Sequence, residues 1–140
     1  MTVPADRIQE ILGLKLTARG APGLAAAVEK GLPRSALLRT VERAGLSGKA
    51  RDALLYRVVP LATFKRRTRL KTHESEKTER LARVIALAEQ LWDDIPSAQQ
   101  FLNTPHPELG GRTPLDCAGF ELGARAVEDV VARALYGLPV

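Results

Sequence analysis

Residues 73–93 read His-Glu-Ser-Glu-Lys-Thr-Glu-Arg-Leu-Ala-Arg-Val-Ile-Ala-Leu-Ala-Glu-Gln-Leu-Trp-Asp. Leu81, Val84, Ile85, Ala88, Leu91 and Trp92 fall at the i, i+3, i+4, i+7 spacing that places side chains on one face of an α-helix. Thr72 can cap this helix, and Glu74, Glu76 and Glu79 enrich its first half, where carboxylates favour the positive end of the helix dipole. The spacing predicts the longest helix of the chain, over about 73–93, with Trp92 as a core anchor. No comparable stretch alternates with a period of two, and no internal repeat occurs, so the chain reads as all-α.

Upstream, shorter helical patterns alternate with breakers. Ile8, Ile11 and Leu12 are helix-spaced within 2–16, and 17–22 forms a Gly- and Pro-containing connector. An alanine-rich helix is expected over 24–30, ending at Gly31. Residues 33–44 carry Leu37, Leu38 and Val41 on one face, and Gly45 ends the pattern. Ser47 is placed to cap 48–58, with Leu54, Leu55 and Val58 as its stripe. Pro60 restarts the chain for a helix over 61–70, with Leu61 and Phe64 inward and Lys65, Arg66, Arg67 and Arg69 around the rest. Helix, short turn, helix, short turn and basic helix is the spacing of a helix-turn-helix unit, here over about 33–70.

Downstream, Asp94 can cap and Pro96 can open a short helix whose inward face is Ala98, Phe101 and Leu102. Pro105-His106-Pro107 predicts extended backbone. In Leu109-Gly110-Gly111-Arg112-Thr113-Pro114-Leu115-Asp116, the glycines supply a turn, Thr113 an N-cap and Pro114 a first helical turn. That helix is expected to run to about Phe120. A last helix follows, lined by Gly123, Val127, Val130, Val131 and Leu135 and stopped at Gly137. Gly123 permits close backbone approach.

Charge divides the chain. Residues 1–72 hold 15 Lys and Arg against 5 Asp and Glu; residues 73–140 hold 6 against 11. A basic half joined to an acidic half implies one surface for a polyanion and another for a different partner. Between Asp52 and Glu74 no acidic residue interrupts Arg57, Lys65, Arg66, Arg67, Arg69 and Lys71. Lys and Arg neutralise phosphates, and Arg can fork to a guanine edge. Lys65, Arg66, Arg67 and Arg69 are therefore the expected DNA contacts, with Thr63 near the groove. The division predicts a DNA-binding domain over 1–71 and a second domain over 72–140.

Little points to catalysis. His73 and His106 belong to no metal-ligand spacing, and no P-loop, dinucleotide fingerprint or Ser-His-Asp set occurs, so no metal or cofactor is expected. Cys117, the single cysteine, follows a capped helix start that could lower its pKa; between Leu115 and Ala118 it reads rather as a packed residue. One cysteine and no apolar run of membrane-spanning length suit the cytoplasm.

The downstream half resembles the antitoxins of the Xre/MbcA/ParS group, which pair with RES-domain toxins. The resemblance rests on Ser75, Arg80, Ala82-Arg83, Ala98, Phe101-Leu102, Thr104-Pro105, the 109–116 stretch, Glu121, 123–128 and Tyr136-Gly137. It extends upstream through 31–33, 44–47 and 63–67, which look like a Cro-type helix-turn-helix. Pro60 and Ala62 stand where the family often has Ser and Arg, which removes one phosphate or base contact. The resemblance implies an antitoxin that occludes the active site of an NAD-consuming RES toxin and represses its operon by binding operator DNA, as a homodimer within a hetero-oligomer. It puts toxin contacts at Gly110, Gly111, Arg112, Arg133, Tyr136, Gly137, Leu138 and Val140. The residues alone also allow a regulator without a toxin, whose downstream half serves oligomerisation.

Overall fold

The computed structural model describes residues 3–137. The expected central helix forms as α6 (Thr72–Leu91), and every other element is arranged about it. Its start is fixed by three polar contacts. Glu74 Oε1 accepts the Lys71 backbone N–H at 2.8 Å. Ser75 Oγ accepts the Leu32 N–H at 2.8 Å, and Thr72 Oγ1 donates to the Glu29 carbonyl at 2.8 Å. Thr72 is thus the first helical residue rather than the cap.

From Leu81 to Ala88 every residue of α6 except Arg83 is buried. This is burial around the whole circumference, where the sequence predicts a single stripe. The cause is packing on both sides. On one side lie α1 (Ala5–Leu12), α2 (Gly20–Lys30), α3 (Arg34–Arg43) and α4 (Gly48–Val58). On the other lie α7 (Ile95–Leu102), α8 (Pro114–Cys117) and α9 (Glu121–Tyr136). Glu89, almost fully buried on α6, receives Arg43 of α3 at 2.6 and 2.8 Å and Arg7 of α1 at 3.0 Å. A buried carboxylate is tolerated because two guanidinium groups satisfy it.

The architecture is all-α, and no strand occurs among the described residues. Several boundaries differ from expectation. α2 begins at Gly20, four residues early, because Pro22 lies in its first turn, where the missing N–H costs nothing. Ser47 has the extended backbone of a cap, but its side chain makes no cap bond. The basic helix α5 (Leu61–Arg66) stops four residues short. Residues 68–70 instead pair antiparallel with 32–34, through Arg34 N–H to Thr68 O at 3.0 Å and Leu70 N–H to Leu32 O at 2.8 Å. Leu61 is exposed, not inward, while Phe64 is half-buried. Trp92, expected as an anchor, is 42 % exposed just beyond α6, and Leu135 is exposed as well.

Downstream, Asp94 caps α7 by accepting the Ser97 N–H at 2.7 Å. His106 is extended as expected, and only from Pro107 does the chain close, into a 3-10 turn over Pro107–Leu109. α8 ends at Cys117 instead of Phe120, and α9 turns back across it. The crossing depends on Gly123, where a Cβ would collide with the Cys117 carbonyl. In an open helix, Gly→Ala stabilises by about 1 kcal/mol. Here the sign inverts: Gly123→Ala should destabilise by about 2 kcal/mol, read as a lower urea midpoint with an unchanged m-value.

Candidate functional site

Two surfaces carry the predicted residues. The first is α5, the helix that follows α4 after a short turn. Lys65 and Arg66 are exposed, and Arg66 Nε donates to the Ala62 carbonyl at 3.2 Å, which lays the guanidinium along the helix. Thr63 is half-buried on the same helix. Arg67 and Arg69 lie beyond the helix end. Arg67 pairs with the buried carboxylate of Glu74 at 2.6 Å, and Arg69 Nη1 donates to the Gly31 carbonyl at 2.7 Å. The Arg67–Glu74 contact and the Lys71 N–H on the same oxygen bind the end of the basic segment to the start of α6.

Arg34, which no local sequence pattern marks, seats α5. The Arg34 guanidinium lies over the Phe64 ring at 5.2 Å and donates to the Phe64 carbonyl at 3.2 Å. A cation over an aromatic face, with a second bond to the same residue, fixes a short helix that buries little of its own.

The second surface is the turn before α8 together with the end of α9. Gly110 and Gly111 adopt φ of 67° and 80° with open space around both. Backbone conformation, not crowding, therefore demands glycine there. The His106 carbonyl accepts N–H groups from Leu109 and Gly111, each at 3.0 Å, and its N–H donates to Arg112 O at 3.1 Å. Thr113 Oγ1 accepts the Asp116 N–H at 3.0 Å, the predicted cap. The Arg112 guanidinium lies 5.3 Å from the Phe120 ring and donates to the Asp116 carbonyl at 3.2 Å.

Arg133 brings α9 to this turn by pairing with Glu108 at 3.2 Å. Tyr136, three residues on and so on the same helix face, is 65 % exposed. Gly137 closes α9 with φ 64°. Leu138 and Val140 lie outside the described residues. An aromatic line missed by sequence reasoning also reaches the turn: Trp92 to Phe101 at 6.5 Å, then Phe101 to His106 at 6.3 Å, edge to face.

Ion pairs join the helices behind the two surfaces. Arg57 of α4 reaches Asp116 of α8 at 3.2 Å. Burial pushes the Asp116 carboxyl up, but hydrogen bonds from Arg57 and Thr113 outweigh it and leave it below the usual carboxylate range. Arg83 of α6 bridges Glu79 and Glu121, and its hydrogen bond lowers the Glu121 carboxyl. Burial raises the Glu79 carboxyl despite the same arginine. Burial also raises the Cys117 thiol, the reverse of the lowered value its helix start suggested and of what an activated nucleophile needs. Among the described residues no three His, Cys, Asp or Glu converge as metal ligands, and no helix is long and apolar enough to cross a membrane.

Comparison with known proteins finds two domains along the chain. The family model of the antitoxin Xre-like helix-turn-helix domain matches residues 23–83, and that of the antitoxin Xre/MbcA/ParS C-terminal toxin-binding domain matches residues 87–137. The chain belongs to the Xre/MbcA/ParS antitoxin family. The antitoxin Xre of Pseudomonas putida KT2440 is 26 % identical over 114 residues, covering 79 % of this chain and 69 % of that protein. The α5 surface thus lies in a helix-turn-helix domain, and the Gly-Gly turn and α9 lie in a toxin-binding domain. An antitoxin of this build has DNA and a toxin as its partners.

The two kinds of basic residue should separate experimentally. Arg67→Ala leaves Glu74 buried beside a bare backbone and should cost about 2 kcal/mol, less than a fully buried pair because Arg67 is partly solvated. Lys65→Ala should stay within about 0.5 kcal/mol of the parent. Chemical denaturation of both variants measures the contrast.

Proposed function

We propose that this antitoxin neutralises a RES-type, NAD-consuming toxin by closing its active site, and represses its own operon as a homodimer. The observation that carries the reading is the ordered pair of domain matches on one chain, with an exposed basic helix in the first and an exposed turn and helix end in the second. The cytoplasm suits both tasks, and neither requires this chain to catalyse a reaction or hold a cofactor. The functional division falls near Lys71, with 1–71 serving DNA and 72–140 serving the toxin, and α6 supports both.

In this reading Lys65 and Arg66 contact phosphates or base edges directly, and Thr63 lies at the groove. Arg67 and Arg69 add positive potential at the helix end while they hold it in place. Pro60 and Ala62 leave the start of α5 without the contacts that Ser and Arg would add, so affinity rests more heavily on its second half. On the toxin side, Gly110, Gly111 and Arg112 present backbone and one cation. Arg133 and Tyr136 of α9 and its stop, Gly137, contact the toxin together with Leu138 and Val140. An acidic half suits a basic, anion-binding toxin surface.

Replacing Lys65 and Arg66 together by Ala should weaken operator binding and reduce its log–log salt slope by about 0.9 for each phosphate no longer neutralised, while toxin neutralisation survives. Intracellular NAD supplies the second readout. Expression of the neighbouring toxin frame should drain NAD, the antitoxin should restore it, and Tyr136→Asp should weaken the rescue. Unchanged operator affinity would remove α5 as the reader. Unchanged NAD would remove the RES assignment and favour a regulator without such a toxin.

A further inference from the structure

A cleft of about 270 Å³ opens between α4, α6 and α8. Leu54, Val58, Leu81 and Leu115 line it, and Arg57 and Lys77 stand among them. No acidic residue lines the cleft. The two cations differ. Arg57 is engaged by Asp116, whereas Lys77, half-buried on α6, has no ion-pair or hydrogen-bond partner among the described residues. A half-buried lysine without a counter-charge, beside an apolar wall, is complementary to one anionic head on an apolar body.

We propose that this cleft binds a small amphipathic carboxylate, with the carboxylate on Lys77 and the hydrocarbon chain against Leu54, Val58, Leu81 and Leu115. A single unpaired cation matches a monoanion better than a phosphate dianion. The size lies at the lower edge of small-molecule sites, which suits a medium-length unbranched chain. A second, larger groove between α1 and α2 provides the contrast. It is also mainly apolar, but Asp6 and Glu79 line it and no Lys or Arg does, so it offers an anion no partner. The proposed site is independent of the toxin reading. It is formed by the first helix of the helix-turn-helix pair and the helix behind the Gly-Gly turn, so its ligand touches both domains.

The test uses the full chain and octanoate, with octanol and acetate as controls, followed by amide chemical shifts. Octanoate should give saturable shifts at Lys77, Leu81 and Leu115. Octanol should bind more weakly, and acetate should not saturate. Lys77→Gln, which removes the charge and keeps most of the apolar stem, should weaken octanoate about fivefold without altering octanol binding. Val58→Phe should block both by filling the cleft. Absence of saturable shifts, equal octanoate affinity in the Lys77→Gln chain, or shifts confined to the α1–α2 groove would each overturn the proposal. Because Lys77→Gln spares the apolar wall, the charge assignment is tested even if Val58→Phe fails to fold.

Discussion

Burial of α6 around its whole circumference is the constraint on which the rest of the molecule depends. A helix that is apolar on one stripe can belong to one domain; one with its middle enclosed needs packing partners on every side. Here α1 to α4 supply one side and α7 to α9 the other. The DNA-binding and toxin-binding domains therefore share a core rather than a linker. Neither half would keep α6 buried alone. Removal of either exposes apolar surface that was packed in the intact chain, so the two domains are coupled in stability.

The polar contacts follow from the same enclosure. Glu89 and Glu74 are carboxylates set into the margin of the core, each held by guanidinium groups from elements that must dock on α6. Arg80 donates to the Ala118 and Gly119 carbonyls, both at 2.9 Å, and so satisfies backbone left open beyond α8. Arg83 joins α6 to the first turn of α9. Much of the positive charge is thus structural. The basic excess of the first half overstates the surface available to a polyanion, and Lys65 and Arg66 stand out because α5 carries them beyond those pairs.

Local chemistry was legible in the sequence where a residue type admits few backbone states. Asp94, Thr113, Gly110, Gly111 and Gly137 each stand where capping or positive φ requires them, and the close approach at Gly123 is real. The family resemblance was legible as an ordered set of such residues. What escaped was set by distant partners. α5 ends early because 68–70 pair with 32–34, which the helical spacing of 61–70 does not encode. Trp92, Leu135 and Leu61 carry helix-compatible apolar side chains, yet the single chain leaves them exposed, since periodicity reports a face and not what lies opposite it. Arg34 against Phe64, and the aromatic line to His106, join residues far apart in sequence.

One shared core presents two separate working surfaces. Hydrogen–deuterium exchange of the intact antitoxin, alone, with operator DNA and with its cognate toxin, tests it most directly. Operator should protect amides of Leu61–Arg66, and toxin should protect 109–112 and 133–137, with α6 strongly protected in all three states. Protection of the same segment by both partners, or exchange of α6 as freely as the surface turns, would rule out two surfaces on one core.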